Sequence, residues 1–228
     1  MAFMAEEEDE MRRVGAFLDT ETTGLKGHDE IIEFALVLFR YDISRRKLRV
    51  IDRYHGLREP SCAIDPGAEA VHGISFDKVR GKRLKDRVVR RILGKADFLI
   101  AHNAVFDRRF VEKLYPETKG IRWYCSMNGI RWKEKGFASK GLQQLMADHG
   151  IETERGHRAL DDVMGALELL AQRDEKKGRP YLSELLGVES DEVEQTKQGR
   201  LGRSLKITGI LIVALILLSL RGALFGLS

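Results

Sequence analysis

The interpretation of this chain depends on the stretch Phe17-Leu18-Asp19-Thr20-Glu21-Thr22-Thr23-Gly24-Leu25. An apolar run that begins at Val14 leads directly into two carboxylates. Side chains at positions i and i+2 of a strand point to the same face, so Asp19 and Glu21 are predicted to project side by side. Gly24 then allows the backbone to turn. Paired carboxylates are typical ligands of Mg²⁺ or Mn²⁺, although an ordinary turn at a strand end shows the same pattern.

The composition allows one domain of ordinary size together with additional segments. The 228 residues are 43% hydrophobic, which is enough to bury a core, and the net charge of +4 permits a nucleic-acid partner without requiring one. Cys62 and Cys125 lie in no metal-binding spacing, so we expect free thiols in a reducing compartment. We expect no secretory signal, because the first residues are acidic rather than basic and apolar.

Apolar runs and turn residues predict an α/β domain over residues 13–172, after an acidic N-terminal arm at residues 1–12. Strands are expected at residues 13–18, 31–39, 48–57, 98–101 and 123–125. Helices are expected at residues 65–73, 80–93, 104–114, 141–148 and 159–172. Short connections favour antiparallel pairing of the first three strands, with the third strand nearer the edge of the sheet.

Two of the expected helices carry further signals. Asp65 suits the N-cap of the first helix, Pro66 its first turn and Gly73 its end. The helix expected at residues 80–93 would have a basic face formed by Arg80, Arg83, Arg87 and Arg90. Such a face is more often a solvated surface than a phosphate-binding one.

Two further carboxylates extend the first pair into a set. Asp107 lies in the first turn of the helix that follows the strand at residues 98–101, so its carboxylate is expected near the edge of the sheet. In the last helix, Asp162 shares a face with apolar residues and is predicted to point inward, whereas Asp161 is predicted to point outward. A buried carboxylate needs a partner. His157 is expected in the loop that leads into this helix.

Together these residues resemble the DEDD superfamily of 3′–5′ exonucleases. The resemblance is to the branch with a histidine in its third motif, which includes the epsilon proofreading subunit of bacterial DNA polymerase III. It covers residues 13–172, including the segment Val71-His72-Gly73-Ile74. The motif residues match in order, type and spacing: Asp19, Glu21, Asp107, His157 and Asp162. The resemblance implies a ribonuclease-H-like mixed sheet flanked by helices.

The resemblance also implies a reaction. A two-metal-ion mechanism would remove nucleoside 5′-monophosphates from single-stranded or frayed 3′ ends of DNA. The four carboxylates would hold two Mg²⁺ ions, for which Mn²⁺ can substitute, and His157 would take the proton from the attacking water. Substrate contacts are expected from Thr22, Leu25, His72, Asn103 and Phe106. For each of these five, an ordinary packing or capping role is the alternative.

Two alternative functions and a partner question remain open at this point. An exoribonuclease would use the same carboxylates, and the contacts to a 2′-hydroxyl that separate RNA from DNA cannot be located in the sequence. A catalytically inactive, membrane-tethered module that binds nucleic-acid ends is a second alternative, against which the complete carboxylate set argues. No polymerase domain is recognised in the sequence, so a role in proofreading or repair would need a partner chain.

The C-terminal part of the chain is predicted to lie outside the exonuclease domain. Residues 173–203 are expected to form a charged flexible linker, and residues 204–228 form a hydrophobic tail. The uncharged run Ile207–Leu220 is shorter than the roughly 20 residues of a usual span, but it has no polar face and follows several basic residues. We expect a membrane anchor that holds a cytoplasmic catalytic domain at the inner face of a membrane. The alternative is a docked core or oligomerisation helix.

Overall fold

A five-stranded mixed sheet forms the centre of the computed structural model, which describes residues 12–152 and 158–188. Its strands are β1 (Arg12–Thr22), β2 (Ile31–Asp42), β3 (Lys47–Leu57), β4 (Phe98–Ala101) and β5 (Arg122–Cys125). They lie in the order β3-β2-β1-β4-β5, with antiparallel pairing among β1, β2 and β3 and parallel pairing of β4 to both β1 and β5. The predicted antiparallel pairing and the edge position of the third strand are confirmed.

Helices cover the sheet. They are α1 (Pro66–His72), α2 (Phe76–Val79), α3 (Asp86–Leu93), α4 (Ala104–Leu114), α5 (Leu142–Asp148), α6 (Ala159–Ala171) and α7 (Tyr181–Leu185), with short 3₁₀ segments at Pro116–Gly120 and Trp132–Lys135. Asp65 caps α1 by accepting a hydrogen bond from the Gly67 backbone at 2.7 Å, and Gly73 ends it at a φ of 66°. The predicted signals for this helix are therefore confirmed.

The central strands bury both of their faces. Even-numbered residues of β1 and β2, such as Leu18 and Phe34, form one core cluster with buried residues of α3 and α4. Odd-numbered residues point to the opposite face, because successive side chains of a strand alternate. Helix α6 packs on that face against β1 and β2. Strand β1 also continues to Thr22, so Asp19 and Glu21 lie within the strand rather than just beyond it.

The helix predicted at residues 80–93 is wrong in its first half. The segment between α2 and α3 is a turn in which Gly81 has a φ of 70°. This turn is fixed by Glu59, whose side chain accepts from the Gly81 backbone at 2.6 Å and whose backbone donates to Lys82 at 3.0 Å. Arg80 and Arg83 therefore share no helix face with the arginines of α3, and the predicted continuous basic face does not form.

The boundary predicted between domain and linker is also wrong. Residues 173–187 belong to the same compact unit as the sheet. Tyr181 and Leu182 on α7 are buried, and the Ser183 hydroxyl lies 2.5 Å from that of Tyr41 on β2. Lys135 pairs with Asp174 and with Glu184, the latter at 2.8 Å. These contacts join distant parts of the chain, so local composition does not reveal them.

Several predicted segments lie outside the described residues: the acidic arm, the loop with His157, the rest of the linker and the hydrophobic tail. Within residues 12–152 and 158–188, every helix is too short or too polar to cross a membrane.

Candidate active site

Three carboxylates from two elements converge beside β1. Asp19 and Glu21 of β1 and Asp162 of α6 each have an oxygen within 4.8 Å of the others. Asp162 is buried, whereas Asp19 and Glu21 are partly exposed. The β1 carboxylates are neighbours because they are two residues apart on one strand face, and α6 brings the third from above that face. At this separation the three negative charges repel unless a proton or a cation neutralises them.

Burial and repulsion both act on the pKa values of the β1 carboxylates. Removal from water raises the pKa of Asp19 well above its ordinary value, and the nearby charges of Asp107 and Glu21 raise it further. Desolvation and the charge of Glu33 raise the pKa of Glu21 to about 8. Carboxyl groups with such raised pKa values, gathered at one place, provide a site that a divalent cation would stabilise.

Asp107 approaches the cluster from the other side of the sheet. It is buried in the first turn of α4, and its Oδ1 accepts from the Thr20 backbone at 3.0 Å and from the Thr20 hydroxyl at 2.8 Å. Burial raises the pKa of Asp107 to about 7 in spite of these hydrogen bonds. Among the described residues, Asp107 stands outside the group of three within 4.8 Å, but its charge acts on Asp19.

The two adjacent aspartates of α6 differ as the helix periodicity predicts. Asp162 is buried and accepts a hydrogen bond at 2.6 Å from the side-chain amide of Gln143 on α5. Asp161 is partly exposed. Only Asp162 therefore joins the carboxylates of β1.

Glu33 is a further acidic residue beside the cluster that was not predicted from the sequence. It lies on β2 directly opposite Glu21 and is completely buried. It accepts from His55 at 2.7 Å and from Arg158 at 2.7 Å. Although burial alone would raise its pKa, these hydrogen bonds lower the pKa of Glu33 to about 2. The available signal was a lone carboxylate within the otherwise apolar run of this strand.

A cavity of about 690 Å³ opens beside the carboxylates. Four of the five predicted substrate contacts line it together with Glu21: Thr22, Leu25, His72 and Phe106. Leu25 is 74% exposed at its rim. Asn103 is not among the described residues that line the cavity. It has a φ of 69° just before α4, a backbone conformation that Asn tolerates, which is the ordinary structural role.

His72 has a defined orientation in this cavity. Its Nδ1 accepts from the Ile74 backbone at 3.0 Å, so the neutral ring carries its proton on Nε2. Burial lowers the pKa of His72, which favours that neutral form. His157 lies outside the described residues, but the next residue, Arg158, is the one that Glu33 holds.

Residues 16–170 match the RNase_T family, whose description is exonuclease. The chain belongs to this exonuclease family. The match includes Asp19, Glu21, Glu33, Asp107 and Asp162, and the family predicted from the motifs is thus confirmed.

Curated members of the family are similar to this chain over most of its described part. Exodeoxyribonuclease 10 of Escherichia coli K12 is 33% identical over 158 residues, which cover 67% of this chain and 65% of that protein. DNA polymerase III subunit epsilon of Treponema pallidum is 31% identical over 161 residues, covering 66% and 72% respectively. The PolC-type DNA polymerase III of Thermotoga petrophila is 28% identical over 179 residues, and the matched part is only 13% of its length.

Solved structures of exonucleases share the fold. Exonuclease X, determined in complex with 5′ overhanging duplex DNA, superposes with a TM-score of 0.51 at 27% identity, covering 68% of this chain and 88% of that one. An exonuclease I structure gives a TM-score of 0.55 at 22% identity, covering 70% and 40%, and supports the fold alone. The predicted ribonuclease-H-like mixed sheet flanked by helices is confirmed.

Proposed function

We propose that this chain is a metal-dependent 3′–5′ exonuclease that removes nucleoside 5′-monophosphates from 3′ ends of DNA. The observation that carries the proposal is the convergence of Asp19, Glu21 and Asp162 within 4.8 Å, next to a cavity of about 690 Å³. The relatives named exodeoxyribonuclease 10 and DNA polymerase III subunit epsilon support DNA as the substrate, as does the duplex DNA bound to exonuclease X.

The four carboxylates of the site are suitable ligands for divalent cations. Their donors are hard carboxylate oxygens, which suit Mg²⁺ and Mn²⁺, and burial together with mutual repulsion raises the pKa values of Asp19 and Glu21, a strain that a bound cation would relieve. We assign two Mg²⁺ ions, replaceable by Mn²⁺, to Asp19, Glu21, Asp107 and Asp162. When bound, such a pair supplies a nucleophilic water and stabilises the leaving 3′ oxygen.

The remaining roles fall to side chains around the carboxylates. The cavity would hold the terminal nucleotide, with Leu25 and Phe106 against its base and Thr22 and His72 near its sugar. Such packing orients the scissile phosphate relative to the carboxylates. His157, assigned from the sequence, would accept the proton of the attacking water. Asn103 keeps its proposed role in holding the nucleic-acid backbone, although its backbone conformation is also explained by the turn before α4.

A degradation assay tests this function. Full-length protein is incubated with 5′-labelled DNA and RNA oligonucleotides of matched sequence, in Mg²⁺, in Mn²⁺ or in EDTA, with Asp19→Ala as the inactive control. We expect DNA to shorten from its 3′ end with release of nucleoside 5′-monophosphates, and no shortening in EDTA. Faster shortening of RNA would indicate an exoribonuclease. Binding of ends without shortening in either metal would indicate the inactive binding module.

For the C-terminal region we propose a membrane anchor at residues 204–228. The support is the sequence alone: an uncharged run, Ile207–Leu220, that follows the basic residues Arg200, Arg203 and Lys206. The catalytic domain would then remain cytoplasmic at the inner face of the membrane.

A polymerase or a repair protein is the class of partner we propose, because one relative is a polymerase subunit.

A further inference from the structure

Glu33 connects β2 to the start of α6. Its Oε1 accepts from Nη2 of Arg158 at 2.7 Å and from Nε of the same guanidinium at 3.1 Å. Its Oε2 accepts from the Ala159 backbone at 3.3 Å, and His55 binds Oε1 at 2.7 Å. Both carboxylate oxygens of Glu33 are thus engaged by hydrogen bonds.

Arg158 links Glu33 to Asp162. Arg158 is the N-cap of α6, and its side chain makes no capping bond to the described part of that helix. Its carbonyl accepts from the Asp162 backbone at 3.0 Å. Glu33 on β2 supplies the missing cap to the first residue of α6. Its negative charge also interacts favourably with the N-terminal end of this helix. A chain of hydrogen bonds therefore leads from β2 through Arg158 to Asp162.

We propose that Glu33 and Arg158 are positioning residues that hold Asp162 in register with Asp19 and Glu21. The proposal rests on the proposed function only in that these three carboxylates bind divalent metal. Glu33 on β2 pairs directly with Glu21 on β1. The pairing of these two strands therefore fixes the position of Glu21 and also that of the residue that anchors α6. The orientation of the third carboxylate is thereby tied to that of the first two.

A purely electrostatic role and a positioning role of Arg158 predict opposite changes in metal affinity when Arg158 is replaced by Gln. If Arg158 acted only through its charge, Arg158→Gln would remove a cation near the carboxylates and tighten metal binding. If Arg158 positions α6, the same change weakens metal binding, because Asp162 loses its register. Loss of a residue that orients a metal ligand typically weakens metal affinity about 10–100-fold.

The experiment is Mn²⁺ binding to the full chain, followed by electron paramagnetic resonance of free Mn²⁺, with thermal melting to check folding. Arg158→Gln and Glu33→Gln are each expected to weaken Mn²⁺ binding about 10–100-fold. The double variant should bind no more weakly than the weaker single variant, because both changes break one connection. Glu184→Gln is the matched control: it removes a glutamate from the ion pair with Lys135, outside the cluster, and should leave Mn²⁺ affinity unchanged.

The outcomes separate this proposal from the proposed function. Unchanged or tighter Mn²⁺ binding by folded Arg158→Gln overturns the positioning role, whether or not the wild type degrades DNA. If Arg158→Gln binds Mn²⁺ more weakly and the wild type degrades no nucleic acid, the positioning role is supported and the nuclease is refuted. A wild type that binds no Mn²⁺ refutes both. If Glu33→Gln does not fold, the partly exposed Arg158 still decides the question.

Discussion

At the scale of single residues, Asp161 and Asp162 are a matched pair. Both are aspartates of the first turn of α6, but only Asp162 is buried against the carboxylates of β1. We expect Asp162→Asn to lose roughly 10²–10³-fold or more in nuclease rate, the range for removing one electrostatic group. Asp161→Asn should remain close to wild type. Single-turnover rates on a DNA oligonucleotide provide the measurement, and the reverse ranking would show that the helix register is misassigned.

The raised pKa values make the metal-free protein sensitive to pH. The pKa of Glu21 is about 8 when folded, against 4.5 ordinarily, and that of Asp107 is about 7, against 3.8. At a pH between the ordinary and the folded pKa of each group, the folded state holds a proton that the unfolded chain has released. The free energy of unfolding therefore falls as the pH rises through this range. Glu33 stays ionised throughout this window, because its pKa is about 2.

We therefore expect wild-type protein in EDTA to lose stability relative to Glu21→Gln as the pH rises from about 5 to about 8. Comparing the two proteins cancels the contributions of titrating groups that do not interact with Glu21. Added Mn²⁺ should stabilise the wild type more at the higher pH, where fewer protons compete. Thermal melting measures both effects, and a difference that is independent of pH would contradict the assigned pKa values.

His157 is the proposed proton acceptor. His157→Ala should slow DNA hydrolysis by roughly 10²–10⁴-fold, as expected for loss of a general base, while Mn²⁺ binding remains close to wild type. The two measurements together separate this role from that of a metal ligand. A small effect at neutral pH would mean that another group accepts the proton.

At the scale of elements, α7 extends the domain beyond the predicted boundary. Tyr181, Leu182 and Leu185 are buried, and each such side chain contributes about 1.5–3 kcal/mol as an upper estimate. Truncation after Gln172 should therefore destabilise the protein by several kcal/mol, whereas truncation after Val188 should leave its melting temperature unchanged. Melting of the two truncated proteins measures this. Equal stability would show that α7 adds nothing to the domain.

The error at residues 80–93 belongs to the same scale. The apolar and basic residues of that segment recur at helical spacing, which is why a single helix was predicted. Spacing reports which side chains would share a face, but it does not report competing bonds to another segment. Here Glu59 binds the turn at Gly81 and Lys82, and the helix begins only at Asp86.

At the scale of the whole molecule, the proposed anchor would hold the catalytic domain at a membrane. Full-length protein should pellet with membranes and resist alkaline carbonate extraction. Truncation after Arg203 should release it into the supernatant with its nuclease activity intact, because the described domain ends earlier. Fractionation followed by the oligonucleotide assay gives both readouts. Full-length protein that stays in solution without detergent would refute the anchor and leave the nuclease proposal standing.

The sequence alone determined the exonuclease family and the order of the strands along the chain, and it predicted Asp19, Glu21, Asp107 and Asp162 as the acidic residues of the site. These properties follow from local patterns: an apolar run that ends in Asp-Thr-Glu, a carboxylate in a first turn, and the inward face of a helix that selects Asp162 over Asp161. Such patterns depend on residues close together in the chain, so they can be recognised without the fold.

Only the tertiary structure decided which of these groups meet and what holds them. The Thr20 bonds to Asp107, the packing of α7 and the pairing of Glu33 with Arg158 join residues that are far apart in sequence, 125 positions in the last case. A carboxylate inside an apolar strand signals that a partner exists, because an unpaired buried charge is costly. The identity of that partner depends on the path of the chain, and no local periodicity contains it.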